Sequence, residues 1–284
     1  MKRIIKNILL LLFCFIISFT EIYHSYALDK KDIKLSSLST NITELIFKLK
    51  QKDKLVGRTS ACDYITGTEK ITIIGDLGIP NIEKLLLTKT NIVITSLIKD
   101  PFIEKTINDV GIKFVYAPIK TIQEYINTIK IIGKILQIED IADNEIRSIQ
   151  QKLNNFIQKQ KLLKKRPKIL VIMTQEFPII TAGKTSFLTD IINYAGGINM
   201  GAIINKDYPE ISQEWILQQN PDIIIAPNLP KNTIKYLKNN KFWKEITAIK
   251  NNKIYTNIDP NFLYVIGPNI IKLIKYINDK IINN

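Results

Sequence analysis

The chain has 284 residues, 45% of them hydrophobic, and its 40 lysines and arginines outnumber 26 acids to give a formal net charge of +14. The lysines are spread among Ile and Asn along the whole length, so no basic stripe dense enough for nucleic acid forms. A single histidine, His24, excludes most Ser-His-Asp and Cys-His catalysis and a histidine-rich metal site.

Residues 1–27 read as a cleaved signal peptide. Lys2, Arg3 and Lys6 form a positive head, Ile8 to Phe19 an apolar run, and Ser25-Tyr26-Ala27 a small-residue cleavage site. The apolar run is shorter than the ~20 residues of a membrane-spanning helix. Cleavage removes His24 and lowers the charge to +12, because Lys2, Arg3, Lys6 and Glu21 leave. Of the two cysteines only Cys62 stays, so the mature chain is expected to hold no intrachain disulfide. The expected location is therefore periplasmic, outside the cytoplasmic membrane.

From residue 28 to 118 short apolar runs alternate with helical periodicity. Ile33–Leu38, Lys54–Thr59, Asn91–Thr95 and Ile112–Ala117 are predicted strands; Asn41–Lys50 and Asn81–Thr88 are predicted helices. Alternation of this kind argues for a parallel α/β sheet. Residues 119–166 break the rhythm. Thr121–Leu136 is predicted as one helix, and Ile141, Ile146, Ile149, Leu153, Phe156 and Leu163 carry a second to Lys164-Lys165-Arg166-Pro167, a helix stop. At 1.5 Å per residue, ~25 residues span ~37 Å, the width of a small domain.

Residues 167–284 resume the α/β pattern. Lys168–Thr174, Asp222–Ala226 and Lys253–Asn257 are predicted strands, Ser186–Ala195 a helix closed by Gly196-Gly197, and Pro268–Ile282 the last helix. Trp243 is placed in a late, surface-like helix. The two α/β lobes share an echo: Glu83 and Glu214 each stand eight residues before an Asn or Asp that opens an apolar strand, Ile92–Ile94 and Ile223–Ile225.

Several segments together resemble the periplasmic binding proteins for cobalamin, ferric siderophores and haem, the cobalamin type most of all. They are Leu35–Glu44, Val56–Tyr64, Gly75–Glu83, Thr181–Lys184, Gly196–Asn199 and Ile211–Glu214. The resemblance spans nearly the whole mature chain. It implies an α/β fold of two Rossmann-like lobes joined by one long α-helix, the class III architecture. It also implies a monomeric carrier without catalysis, resident metal or cofactor, which passes a small-molecule ligand to an ABC permease dimer and its ATPase subunits. Glu83 and Glu214 would dock the permease, one from each lobe. Tyr64, the loop at Leu77, the Phe177–Thr181 stretch with Phe177 and Ile180, and Tyr208 would line the cleft, since a corrin- or porphyrin-sized ligand wants aromatic faces.

The chain departs from the cobalamin pattern at Leu77, where tryptophan is usual, and at Ile65, where proline is usual. Cys62 adjoins Asp63-Tyr64 and is counted with the ligand residues, although a lone cysteine is more often a small buried hydrophobe. Haem would need an axial donor other than histidine, for which a tyrosinate serves. Arg58 and Lys184 are the cations a ferric siderophore would meet. An exported enzyme on the same scaffold would have to work with carboxylates such as Asp63, Glu176 and Asp259, and no spacing supports it; a ligand sensor is the third alternative.

Overall fold

In the computed structural model, residues 32–97, 99–174, 178–227, 229, 235, 237–241 and 243–282 are described. The expected signal peptide, Glu176 and Phe177 lie outside them.

The first sheet is built as the apolar runs demand. Strands β1 (Leu35–Ser37), β2 (Leu55–Thr59), β5 (Ile92–Thr95) and β6 (Lys113–Tyr116) fall within the predicted segments. Two more, β3 (Thr72–Asp76) and β4 (Ile79–Pro80), complete the order β4-β3-β2-β1-β5-β6, parallel except for the β3–β4 hairpin. Between strands run α1 (Thr40–Lys48), α2 (Ile82–Leu87) and α3 (Pro101–Asp109). Helix α3 has a start signal the periodicity missed: Asp100 accepts from the Phe102 and Ile103 amides, and Pro101 occupies the first turn. Gly57 is obligatory in β2, because a Cβ there would collide with Ser36 Oγ and lie 2.6 Å from Ile74 Cγ2.

Helices α4 (Ile122–Leu136) and α5 (Glu139–Lys161) follow, joined through left-handed Gln137 at φ 54°. Gly133 lets α4 approach so closely that its Cβ would stand 2.6 Å from that of Ala142. The 23 residues of α5 span about 35 Å. Its acids Glu139 and Asp140 lie in the first turn and Lys159 and Lys161 in the last, each matching the helix dipole. The helix ends before the predicted stop at Lys164–Pro167.

The second sheet has the all-parallel order β12-β11-β7-β9, from β7 (Lys168–Val171), β9 (Ile198–Asn199), β11 (Ile223–Ile225) and β12 (Ile254–Tyr255). A separate antiparallel pair joins β8 (Ile179–Ile180) to β10 (Glu210–Ile211). Helices α6 (Phe187–Ala195), α7 (Gln213–Gln219) and α8 (Thr247–Lys250) belong to this lobe. A short helix α9 (Pro260–Tyr264) precedes the expected last helix, which is formed by α10 (Ile270–Tyr276) and a π-helical turn over Ile277–Ile282.

The core explains the uniform apolar strands. Ile92 and Ile94 face one cluster while Val93 faces another; Ile169, Val171, Ile223 and Ile225 face inward while Leu170 and Ile224 face outward. Strands buried on both faces need apolar residues at every position. The inner cluster is continuous from β1 and β5 through α4 and α5 to β7, β11 and α10. The lobes are therefore bound by shared packing as well as by the chain. Trp243 corrects the surface-helix expectation: it is 3% exposed, on a 3-10 turn inside the outer cluster of the second lobe. A ring of that size is held by apolar burial, which its place in the sequence does not reveal.

Candidate functional site

Parallel sheets offer their ligands the crevice beyond the carboxyl ends of the strands. Here Thr40 and Asn41 follow β1, Leu97 follows β5, and Ile119 and Lys120 follow β6. The β3–β4 turn brings Leu77 to the same end; Gly78, at φ +75°, donates its amide to Leu38 O at 3.0 Å and pins the turn over β1. Facing them, the second lobe presents Thr185–Phe187, Asp207, Tyr208 and Tyr264–Ile266. These residues enclose a cavity of about 320 Å³, at the small end of ligand pockets. Its two ionic side chains pair weakly, Lys120 Nζ lying 3.9 Å from Asp207 Oδ2.

The 181–186 segment and the 204–209 segment are stitched together. The Gly183 amide donates to Asp207 O at 2.8 Å, that of Thr181 to Pro209 O at 3.0 Å and that of Lys184 to Ile204 O at 2.9 Å. Thr185 Oγ1 donates to Asp207 Oδ1. Tyr208 is held with 45% of its surface exposed; burial of the rest, ahead of the Asp207 charge, raises its phenol pKa. Burial also pushes the Tyr264 phenol up to about 12, and its hydroxyl has no partner among the described residues.

A second cavity of about 600 Å³ lies alongside, lined by Glu44, Tyr64 and Ile65 of the first lobe and Asp259, Phe262 and Asn269 of the second. Tyr64 donates its hydroxyl to Glu44 Oε1 at 3.1 Å. Burial raises the Glu44 pKa, with Tyr64 opposing in part, and burial followed by the Glu44 charge raises that of Tyr64. A carboxylate whose folded pKa is raised contributes stability only below its unfolded pKa, about 4, and loses it as pH rises through the folded value. Glu44→Gln is therefore expected to melt higher than the unaltered chain at pH 7. The difference should vanish near pH 4 in thermal scans.

The expected ligand residues are thus divided. Leu77 and Tyr208 share the first cavity, whereas Tyr64 lines the second. Ile180 is half-buried on β8 and lines neither cavity, and Phe177 lies outside the described residues. Cys62 is fully buried, its Sγ 3.4 Å from Thr43 Oγ1 and 3.5 Å from Thr59 Oγ1, and it too lines neither. Arg58 is 4% exposed, bound to Asp63 at 2.6 Å and to the carbonyls of Thr59 and Thr68, so it braces the 59–68 turn. Thr40, Asn41, Glu44, Lys120, Thr185, Phe262 and Tyr264 were missed. The available signal was position, since several follow directly on parallel strands.

Glu83 and Glu214 occupy equivalent positions. Each is exposed and second in its helix, behind an N-cap whose side chain accepts an amide: Asn81 from Lys84 and Ser212 from Trp215. Both carboxylates lie at the positive helix end, and the Glu214 pKa is lowered by its own amide and by Ser212. Leu86 and Leu87 are 51% and 80% exposed on the same helix as Glu83. Among the described residues no three His, Cys, Asp or Glu side chains cluster to hold a metal, and no helix is long and apolar enough to cross a membrane.

The sequence model for the periplasmic binding proteins matches residues 35–259. The chain belongs to the periplasmic binding protein family. Within that family it is 25% identical over 260 residues to the uncharacterized ABC transporter substrate-binding lipoprotein YvrC of Bacillus subtilis, covering 89% of this chain and 81% of that one. It is 29% identical over 213 residues to the high-affinity heme uptake system protein IsdE of Staphylococcus aureus, covering 71% of each. Its fold matches a possible iron-binding periplasmic solute-binding protein of Staphylococcus epidermidis with a TM-score of 0.74 and 24% identity, over 87% of this chain and 97% of that one.

Proposed function

We propose that the chain is the extracytoplasmic receptor of an ABC importer. In this reading it captures cobalamin or a similarly bulky corrin or iron chelate and hands it to a permease dimer with its ATPase subunits. The observation that carries this reading is the interlobe cleft at the carboxyl ends of the parallel strands, where apolar walls from Leu77 to Ile266 meet the half-exposed Tyr208. A flat, weakly polar ligand suits such a lining. The tetrapyrrole is cargo, and no catalysis, resident cofactor or metal is assigned. The receptor acts as a monomer after its signal peptide is removed. Glu83 and Glu214 present one carboxylate per lobe to the permease, where charge pairs set orientation and encounter rate more than affinity.

Cobalamin is favoured because it needs no axial donor from a protein whose mature chain has no histidine. Haem is the second reading, favoured by the 29% identity to a protein named for heme uptake. A ferric siderophore loses support, since Arg58 is buried and Lys184, although exposed, lines neither cavity. Thermal melts with cyanocobalamin, haemin and a ferric hydroxamate test this. A ligand at 100 times its Kd should add about 2.7 kcal/mol of stability. If none of the three shifts the melting temperature, the ligand reading falls.

A further inference from the structure

The two cavities are neighbours along α1, where Asn41 lines one and Glu44, one turn on, the other. Gly267 packs against α1 between Asn41, which lines the first cavity, and Glu44, which lines the second; a Cβ there would stand 3.9 Å from Asn41 Cβ and 2.8 Å from Glu44 Oε2. On the second lobe Phe262 lines one cavity and Tyr264, two residues on, the other. The chambers differ in chemistry. The first is mainly apolar around Tyr208, its Lys120 and Asp207 facing each other. The second holds two carboxylates, Glu44 and Asp259, with two aromatic rings and the Asn269 amide.

We infer that the two chambers receive two parts of one ligand, and that Glu44 and Asp259 select a ligand whose periphery carries hydrogen-bond donors such as primary amides or amines. The inference rests on the ligand-capture reading above and divides the chelates within it. The amide arms of a corrinoid donate N–H to the carboxylates, and hydrogen bonds to an ionised acceptor are about twice as strong as neutral ones. The propionates of a porphyrin would bring like charge into a partly desolvated chamber, where repulsion is less screened than in water. Rejection of a carboxylate-bearing analogue thus comes from a built-in repulsive element as well as from missing bonds.

The test is an absorbance titration with cyanocobalamin and with haemin, at pH 7 and constant salt. The chains are the unaltered protein, Glu44→Gln, Asp259→Asn, the two together, and Tyr208→Ala as a marker of the first chamber. Gln and Asn keep the shape and an acceptor oxygen, and melting temperatures verify that each variant folds. The unaltered chain should prefer cyanocobalamin. The paired substitution should weaken cyanocobalamin about tenfold or more and erase the preference over haemin; Tyr208→Ala should weaken both ligands alike. Each single substitution should act in the same direction, about threefold, and serves if the pair does not fold. If the paired substitution leaves both affinities within about twofold while Tyr208→Ala weakens them, charge selection is overturned and the ligand-capture reading survives. A stronger affinity of the unaltered chain for haemin overturns the selection too, and no binding of either ligand overturns both readings.

Discussion

A chain carrying Glu83→Lys and Glu214→Lys is expected to bind its ligand with unchanged affinity and to support no import above background. Both positions are exposed, and neither lines a described cavity. Reversal at the second residue of α2 and α7 puts a cation at the positive end of each helix, at a cost of about 0.3–1 kcal/mol apiece. The Asn81 and Ser212 caps remain. At an interface, by contrast, loss of a desolvated charge pair costs roughly 2–5 kcal/mol, and reversal adds repulsion. Either single substitution should therefore cut uptake at least about thirtyfold. The measurement pairs absorbance titration with uptake of labelled cyanocobalamin into vesicles bearing the cognate permease. Uptake at the normal rate would remove the docking role. Weakened ligand binding would instead assign the two glutamates to the cleft or the fold.

The second large effect is expected at Gly183. A Cβ added there would run into Lys206 O and lie 2.8 Å from Pro209 Cδ, and neither is the free end of a flexible side chain. The two segments cannot separate without breaking the hydrogen bonds donated by the Thr181, Gly183 and Lys184 amides, which position Asp207 and Tyr208. Gly183→Ala should cost about 1–3 kcal/mol, the range for overpacking. That corresponds to a melting temperature lower by roughly 2–10 °C. It should also weaken ligand binding about tenfold, because Tyr208 and Thr185 move with the displaced segments. Gly111→Ala is the control. Gly111 has φ +78° with open space around it, so alanine strains the backbone and lowers stability while leaving affinity intact. Equal loss of affinity in both variants would mean that Gly183 acts only through global stability.

Strands β5, β7 and β11 were legible because strands buried on both faces must be apolar throughout, β1, β2, β6 and β12 as short runs alternating with helical segments, and helices α1, α2, α4, α5 and α6 because one side of each recurs at helical spacing. Strands β3 and β4 were not. Thr72, Ile73 and Asp76 are exposed, and β4 is two residues that exist only by pairing with Gly75 and Asp76. The Glu83 and Glu214 echo was legible as spacing, and the fold supplies its local cause: in both helices a capped first turn accommodates an acid.

Cys62 and Tyr64 stand two residues apart, both predicted to face the ligand. The 3-10 turn Ser60–Cys62 and the Arg58 brace send one inward between Thr43 and Thr59 and leave the other 46% exposed at Glu44. Periodicity of apolar residues is a local property, so the sequence by itself determined two α/β lobes, the helices between them and the paired glutamates. Which side chains share a cavity depends on chain separations of 20 to 218 residues, as Glu44 with Tyr64 and with Phe262. Only the tertiary structure decided that the cleft has two chambers, that Leu77 and Tyr208 share one, and that Gly267 stands between them.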